Sequence, residues 1–107
     1  MTNSTATAAT ASAAFALTDL PRVRAPFRLQ WEPAQEAWVL LYPEGMVKLN
    51  RSAGEIMRLC DGVRSVSEVV EELQRLFNVP SLIAEVQAFM AMAVQQGWLQ
   101  LTPQAAP

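Results

Sequence analysis

The chain has 107 residues, room for one small domain, and 51% of them are hydrophobic, enough to form a core. It contains no His, a single Cys, four scattered glycines and a net charge of −2. These exclude His-based catalysis, protein-ligated zinc and iron–sulfur centres, a phosphate-cradling glycine loop and a basic nucleic-acid surface.

Residues 1–18, MTNSTATAATASAAFALT, carry no charge and are mostly Ala, Thr and Ser. Hydroxyl side chains interrupt every alanine run, and the first basic residue is Arg22. The segment is therefore expected to be a disordered tail rather than a secretory signal or transit peptide. No run approaches the roughly 18 apolar residues of a membrane helix, so no membrane association is expected. The lone Cys60 has no internal partner, which fits a reducing cytoplasm, and its place on the apolar side of a helix makes it an inert core thiol. The folded domain is expected over residues 19–101, with 102–107 as a flexible C-terminus.

Pro21 and Pro26 flank an extended segment, because proline fixes φ and biases its predecessor away from helix. Phe27, Leu29 and Trp31 then alternate with Arg28, Gln30 and Glu32, the period of a strand with one buried face. After a turn at residues 33–36, Ala37 to Tyr42 is apolar on both sides, as in a covered central strand. Pro43, Glu44 and Gly45 make a second tight turn. Met46 to Leu49 is a third strand, with Val47 and Leu49 on one face and Met46 and Lys48 on the other. The short connections predict an antiparallel meander.

Three helices follow. Ser52 and Glu55 have capping-box spacing, and Gly62 is placed as a C′ residue; between them Ile56, Met57, Leu59 and Cys60 form an apolar side. Ser65 and Glu68 repeat the box ahead of Val66 to Phe77. There Glu68, Glu71, Glu72 and Arg75 oppose Val66, Val69, Leu73, Leu76 and Phe77, the pattern of a solvated surface helix. Asn78-Val79-Pro80 ends this helix, and Ser81 is positioned to cap the next, Leu82 to Gln96. The third helix has Glu85 as its only charge. Leu82, Ile83, Val86, Phe89, Met90, Ala93 and Val94 form an apolar arc of about 140°. Such a helix is buried deeply or lines a partner's groove, and so broad an arc serves both. Gly97 stops it, and Trp98-Leu99 closes over the core.

Three antiparallel strands followed by three helices make an α+β domain, of the two-layer kind that includes winged helix-turn-helix-like modules. No helix has a basic face, so DNA reading is not expected. The edge of the third strand, Gly45 to Asn50, leaves backbone groups unpaired. An extended peptide can add there as a fourth strand, with side chains entering between strand and third helix. Hydrogen bonds at about 0.5–1.5 kcal/mol each and burial at roughly 25 cal/mol per Å² are offset by about 2–5 kcal/mol of peptide ordering. The balance is micromolar to sub-micromolar binding, about −8 kcal/mol. The alternative is a dimerisation or scaffold domain, a homodimer pairing through the same edge. Enzymatic use of carboxylates alone, at Glu32, Glu36 and Glu44, finds no accompanying pocket in the sequence.

The stretch FRLQWEPAQEAWVLLYPEGMVKLNRSAGEIMRLCDG, above all RLQWEPAQEAWVLLYPEG, VKLNRSAGEI and LCDG within it, resembles the PqqD family of peptide chaperones in pyrroloquinoline quinone (PQQ) biosynthesis. The similarity runs from about Leu20 to Leu99 and leaves out the alanine-rich tail. It implies the winged-helix-like fold of a RiPP recognition element. It further implies binding of the leader part of the precursor peptide PqqA and its presentation to PqqE, a radical S-adenosylmethionine enzyme that joins a Glu and a Tyr side chain of the precursor. It implies no reaction, cofactor or metal in the carrier itself. The family's peptide site lies between the third strand and third helix. Here these are Met46, Val47, Lys48 and Leu49, with Ile83, Val86, Gln87, Met90 and Ala91 chosen from the helical wheel. Lys48 is a candidate partner for an acidic peptide residue or a solvated strand charge. Arg22, Arg24 and Arg28 are read as solvated, with a contact to PqqE as their functional alternative.

Overall fold

The computed structural model describes residues 15–104, in which four strands are followed by three helices and a fifth strand. They are β1 (Leu20–Val23), β2 (Arg28–Glu32), β3 (Ala37–Tyr42), β4 (Gly45–Lys48), α1 (Arg51–Leu59), α2 (Val66–Phe77), α3 (Ile83–Gln95) and β5 (Leu99–Thr102).

The expected meander is present as an antiparallel sheet of order β2-β3-β4. Its register pairs Leu29 with Leu40, Trp31 with Trp38, Leu40 with Val47 and Leu41 with Met46. Side chains alternate across a strand, so Leu29, Trp31, Trp38, Leu40, Val47 and Leu49 share one face. Leu40 and Leu49 on that face join a core with Ile56, Met57 and Leu59 of α1, Val69 and Leu73 of α2, and Val86, Met90 and Ala93 of α3. Val39 faces the other way, yet it is fully buried between its cross-strand neighbours Gln30 and Lys48. This accounts for the two-sided apolar character of Ala37 to Tyr42.

A second sheet was legible only as an extended segment at Pro21, without its pairing. β1 pairs antiparallel with β5, from Leu20 opposite Thr102 to Val23 opposite Leu99. The extended segment is thus a strand over Leu20–Val23, ending before the turn at Ala25 and Pro26, and Thr102, assigned to the flexible C-terminus, belongs to its partner. Four-residue strands give too few alternations for a period of two to stand out. Pro21 also argues against a strand, although it is accepted where its missing N–H faces no ladder partner. The buried Pro21 accepts a hydrogen bond from Gly62 N–H at 2.8 Å through its carbonyl.

The end of the expected tail is likewise part of the fold. The carbonyls of Asp19 and Leu17 accept from the N–H groups of Val66 and Ser67 at 2.9 and 3.0 Å. These are two of the four donors that a helix N-terminus leaves unpaired. The predicted Ser65–Glu68 capping box satisfies further groups of the same turn. Residues 1–14, where the rest of the tail falls, lie outside the described residues.

Three helix-end expectations are corrected. Asn50, not Ser52, caps α1: its Oδ1 accepts from Ala53 N–H at 2.8 Å, while Glu55 pairs with Arg58. Asn and Ser are comparable N-caps, so an Asn-Arg-Ser run leaves the start ambiguous by two residues. Helix α1 closes at Cys60, and Gly62 lies beyond it at φ +80°, turning the chain back onto β1. Ser81 does not cap α3; instead Gln74 Oε1 accepts from Leu82 N–H across the α2–α3 turn. The left-handed Asn78 and Gly97 end α2 and α3 where expected.

Candidate peptide-binding groove

Among the described residues β4 pairs only with β3, so its other edge is open. The hydrogen bond from Leu49 N–H to Trp38 C=O at 3.0 Å sets the phase of the ladder. Antiparallel pairs alternate between hydrogen-bonded and non-hydrogen-bonded, so Val47 and Leu49 bond to β3. The N–H and C=O groups of Met46 and Lys48 therefore point outward from the sheet. The same alternation makes Trp31–Trp38 a non-hydrogen-bonded pair, where side chains come closest; the rings meet edge-on at 5.4 Å and 65°.

Beside this open edge runs a groove of about 520 Å³ between β4, the start of α1 and α3. Val47, Lys48 and Leu49 form the strand side, Ala53 and Ile56 lie along α1, and Glu85, Phe89 and Met92 come from α3. Trp98 completes the lining, with its ring 6.5 Å from that of Phe89. The surface is mainly apolar; Glu85 is the charged residue on the helix side, and Lys48 borders the groove at the strand edge. A trough of this shape can accommodate alternate side chains of an extended chain, and the outward groups of Met46 and Lys48 are free for a further backbone ladder.

The sequence-derived site residues divide. Val47, Lys48 and Leu49 line the groove. Met46 is exposed on the outer face of the sheet and reaches the edge through its backbone alone. Val86 and Met90 are 2% and 0% exposed and belong to the core. Ile83, Gln87 and Ala91 are absent from the groove lining. At 100° per residue, Glu85, Phe89 and Met92 fall within about 60° of one another, beside the stripe of Val86, Met90 and Ala93. Ile83, Gln87 and Ala91 fall on the opposite flank of that stripe. The positions chosen from the helical wheel therefore fall on the core stripe and on the flank that faces away from this groove. An i, i+4, i+7 stripe of Glu85, Phe89 and Met92 was the available signal, but in a helix apolar nearly all round it did not stand out.

The chemistry of the remaining groups is quiet. Cys60 is buried, its Sγ lies 3.2 Å from the Ile56 carbonyl oxygen, and its pKa is pushed up to about 12 by burial and then by the Asp61 charge. A thiol held protonated in this way is a poor nucleophile. The ion pairs Glu55–Arg58, Asp61–Arg64 and Glu72–Arg75 each join residues three apart in the chain. Among the described residues no cluster of His, Cys, Asp and Glu could hold a metal, and no helix is long and apolar enough to cross a membrane.

Residues 37–99 match the family model for coenzyme PQQ synthesis protein D (PqqD). The chain is 50% identical over 86 residues to a PqqA binding protein of Pseudomonas aeruginosa strain UCBPP-PA14, covering 79% of this chain and 94% of the relative. It is 46% identical, with the same coverage, to a PqqA binding protein of Stutzerimonas stutzeri strain A1501. Among solved structures it is similar to the solution NMR structure of the PqqD truncation of Methylobacterium extorquens PqqCD, described as a functional, stand-alone RiPP recognition element. That match has a TM-score of 0.62 and 28% identity, and covers 83% of this chain and 97% of the other.

Proposed function

The chain belongs to the PqqD family, and on that premise we propose that it binds the precursor peptide PqqA as an added strand on β4 and presents it to PqqE. The observation that carries this reading is the outward-facing backbone of Met46 and Lys48 beside an apolar groove of about 520 Å³. Relatives at 46–50% identity are named for binding PqqA. The protein acts as a carrier in the cytoplasm. Binding the leader raises the local concentration of the reacting part of the peptide at the enzyme, with no bond made or broken by the carrier. The helix side of the site is Glu85, Phe89 and Met92, and these replace the positions taken from the helical wheel. Phe89 and Met92 receive apolar anchors, and Met adapts its shape to them at little cost.

Proline substitution tests strand addition directly. The Lys48 N–H faces away from β3, so Lys48→Pro leaves the native ladder intact and removes one donor offered to the peptide. Its ring also obstructs the incoming strand. PqqA affinity is expected to fall at least about ten-fold, or about 1.4 kcal/mol, in calorimetric titration, with the unfolding midpoint little changed. Val47→Pro, which removes a β3 bond, is expected to destabilise the fold. Unchanged PqqA affinity in a folded Lys48→Pro protein would rule out addition at this edge.

A further inference from the structure

A second opening lies at the other end of the same sheet face, below the β2–β3 turn. Its volume is about 380 Å³, and Trp31, Trp38, Leu49, Asn50 and Arg51 are among its walls. Trp38 is held in place from below: a Cβ at Gly54 of α1 would stand 2.8 Å from its Cδ1, so helix and indole are already in contact. Trp31 rests edge-on against Trp38 and remains 45% exposed, although it shares a face with the buried Leu40. Two indoles in contact thus border the cleft, and that of Trp31 is largely open to water. Exposed surface of this kind, at the end of a cleft, favours an apolar occupant.

Two observations identify the occupant. Lys48, Leu49 and Asn50 line both this cleft and the β4–α3 groove. A chain that follows the open edge from Met46 to Asn50 therefore arrives at the mouth of the cleft. The charges around the opening are Lys48 and Arg51 against Glu36 and Glu55, two of each sign. Glu55 is already paired with Arg58. The balance selects neither an acidic nor a basic side chain.

We propose that the Trp31–Trp38 cleft is a second anchor subsite for the bound peptide, receiving one aromatic or large aliphatic side chain from just beyond the added strand. The proposal rests on the strand-addition reading. It gives the peptide a fixed end point as well as a ladder, and hence a register. Backbone hydrogen bonds alone fix register weakly, because a slip of two residues restores the same pattern of bonds.

The test titrates synthetic PqqA, and variants of it with single residues changed to Ala, into the wild-type protein and Trp31→Ala. Amide hydrogen exchange at Met46 and Lys48 is followed in parallel. Trp31→Ala is expected to weaken PqqA binding about ten-fold while both edge amides still become protected. One aromatic or large aliphatic peptide residue, when changed to Ala, is expected to abolish the difference between the two proteins. This coupling distinguishes a lost contact from a disturbed Trp38. Equal affinities with a protected edge would overturn the subsite and leave strand addition standing. A weakening that couples to no single peptide residue would also overturn it. Unprotected edge amides in the wild-type complex would remove both the subsite and the reading on which it rests.

Discussion

At Gly54 the helix α1 backbone lies directly against the sheet. An added Cβ would lie 2.8, 3.1 and 3.2 Å from Cδ1, Cβ and Cγ of Trp38, and Trp31 stands edge-on against the same indole. Two effects compete in Gly54→Ala. Alanine improves helix propensity by about 1 kcal/mol, whereas overfilling a close-packed contact costs about 1–3 kcal/mol. The second is expected to win, because contact along the indole leaves it no single atom to move aside. Urea unfolding should show a net loss of about 1–2 kcal/mol. The glycine in RSAGEI was legible as a break in helix propensity; its partner across 16 residues of chain was not.

Among the elements, the proposed site combines a strand edge and a helix flank. The strand side could be read ahead of the structure because a period of two assigns faces unambiguously: Val47 and Leu49 point in, Met46 and Lys48 out. The helix side could not. Helix α3 has one charged residue, Glu85, and its apolar positions cover so much of the circumference that several rotations bury the core equally well. Docking against α2 and β5 selects one rotation, with Val86, Met90 and Ala93 buried and Glu85, Phe89 and Met92 turned to the groove. A pair of substitutions separates the two flanks. Met92 and Ile83 are each 37% exposed, so a Glu is tolerated at either. Met92→Glu is expected to lower PqqA affinity at least about ten-fold by placing a charge where an apolar anchor is buried. Ile83→Glu is expected to leave it within about two-fold, close to thermal energy. The opposite ranking in calorimetry would return the site to the flank chosen from the helical wheel.

For the whole molecule, the ends of the domain matter more than their composition indicates. Phe15 packs against the core, Leu17 and Asp19 close the first turn of α2, and β1 is paired along its length by β5. In a domain of this size a few such contacts are a large share of the net stability. Removing residues 1–19 is therefore expected to be worse than removing residues 1–14. Two hydrogen bonds at about 0.5–1.5 kcal/mol each and the Phe15 contact together amount to about 2–3 kcal/mol. Thermal unfolding of the two truncated proteins should differ by roughly 10–20 °C. Equal midpoints would show that the segment from Phe15 to Asp19 does not cap α2 in solution.

The meander, the three helices and the inventory of chemistry are written in the order of residues alone. Each follows from local information: alternation within a strand, capping residues at fixed offsets, and the absence of His and of a second Cys. The chain's long specific match to one family also pointed to peptide binding. Tertiary structure decided what local patterns leave degenerate. It paired two short strands 75 residues apart, joined the end of the uncharged segment to α2, and set the rotation of α3 that turns Phe89 and Met92 toward the open edge of β4. The physical reason is common to all three. Pairing and rotation are chosen by the total surface buried when distant segments meet, and that quantity belongs to no single stretch of the chain.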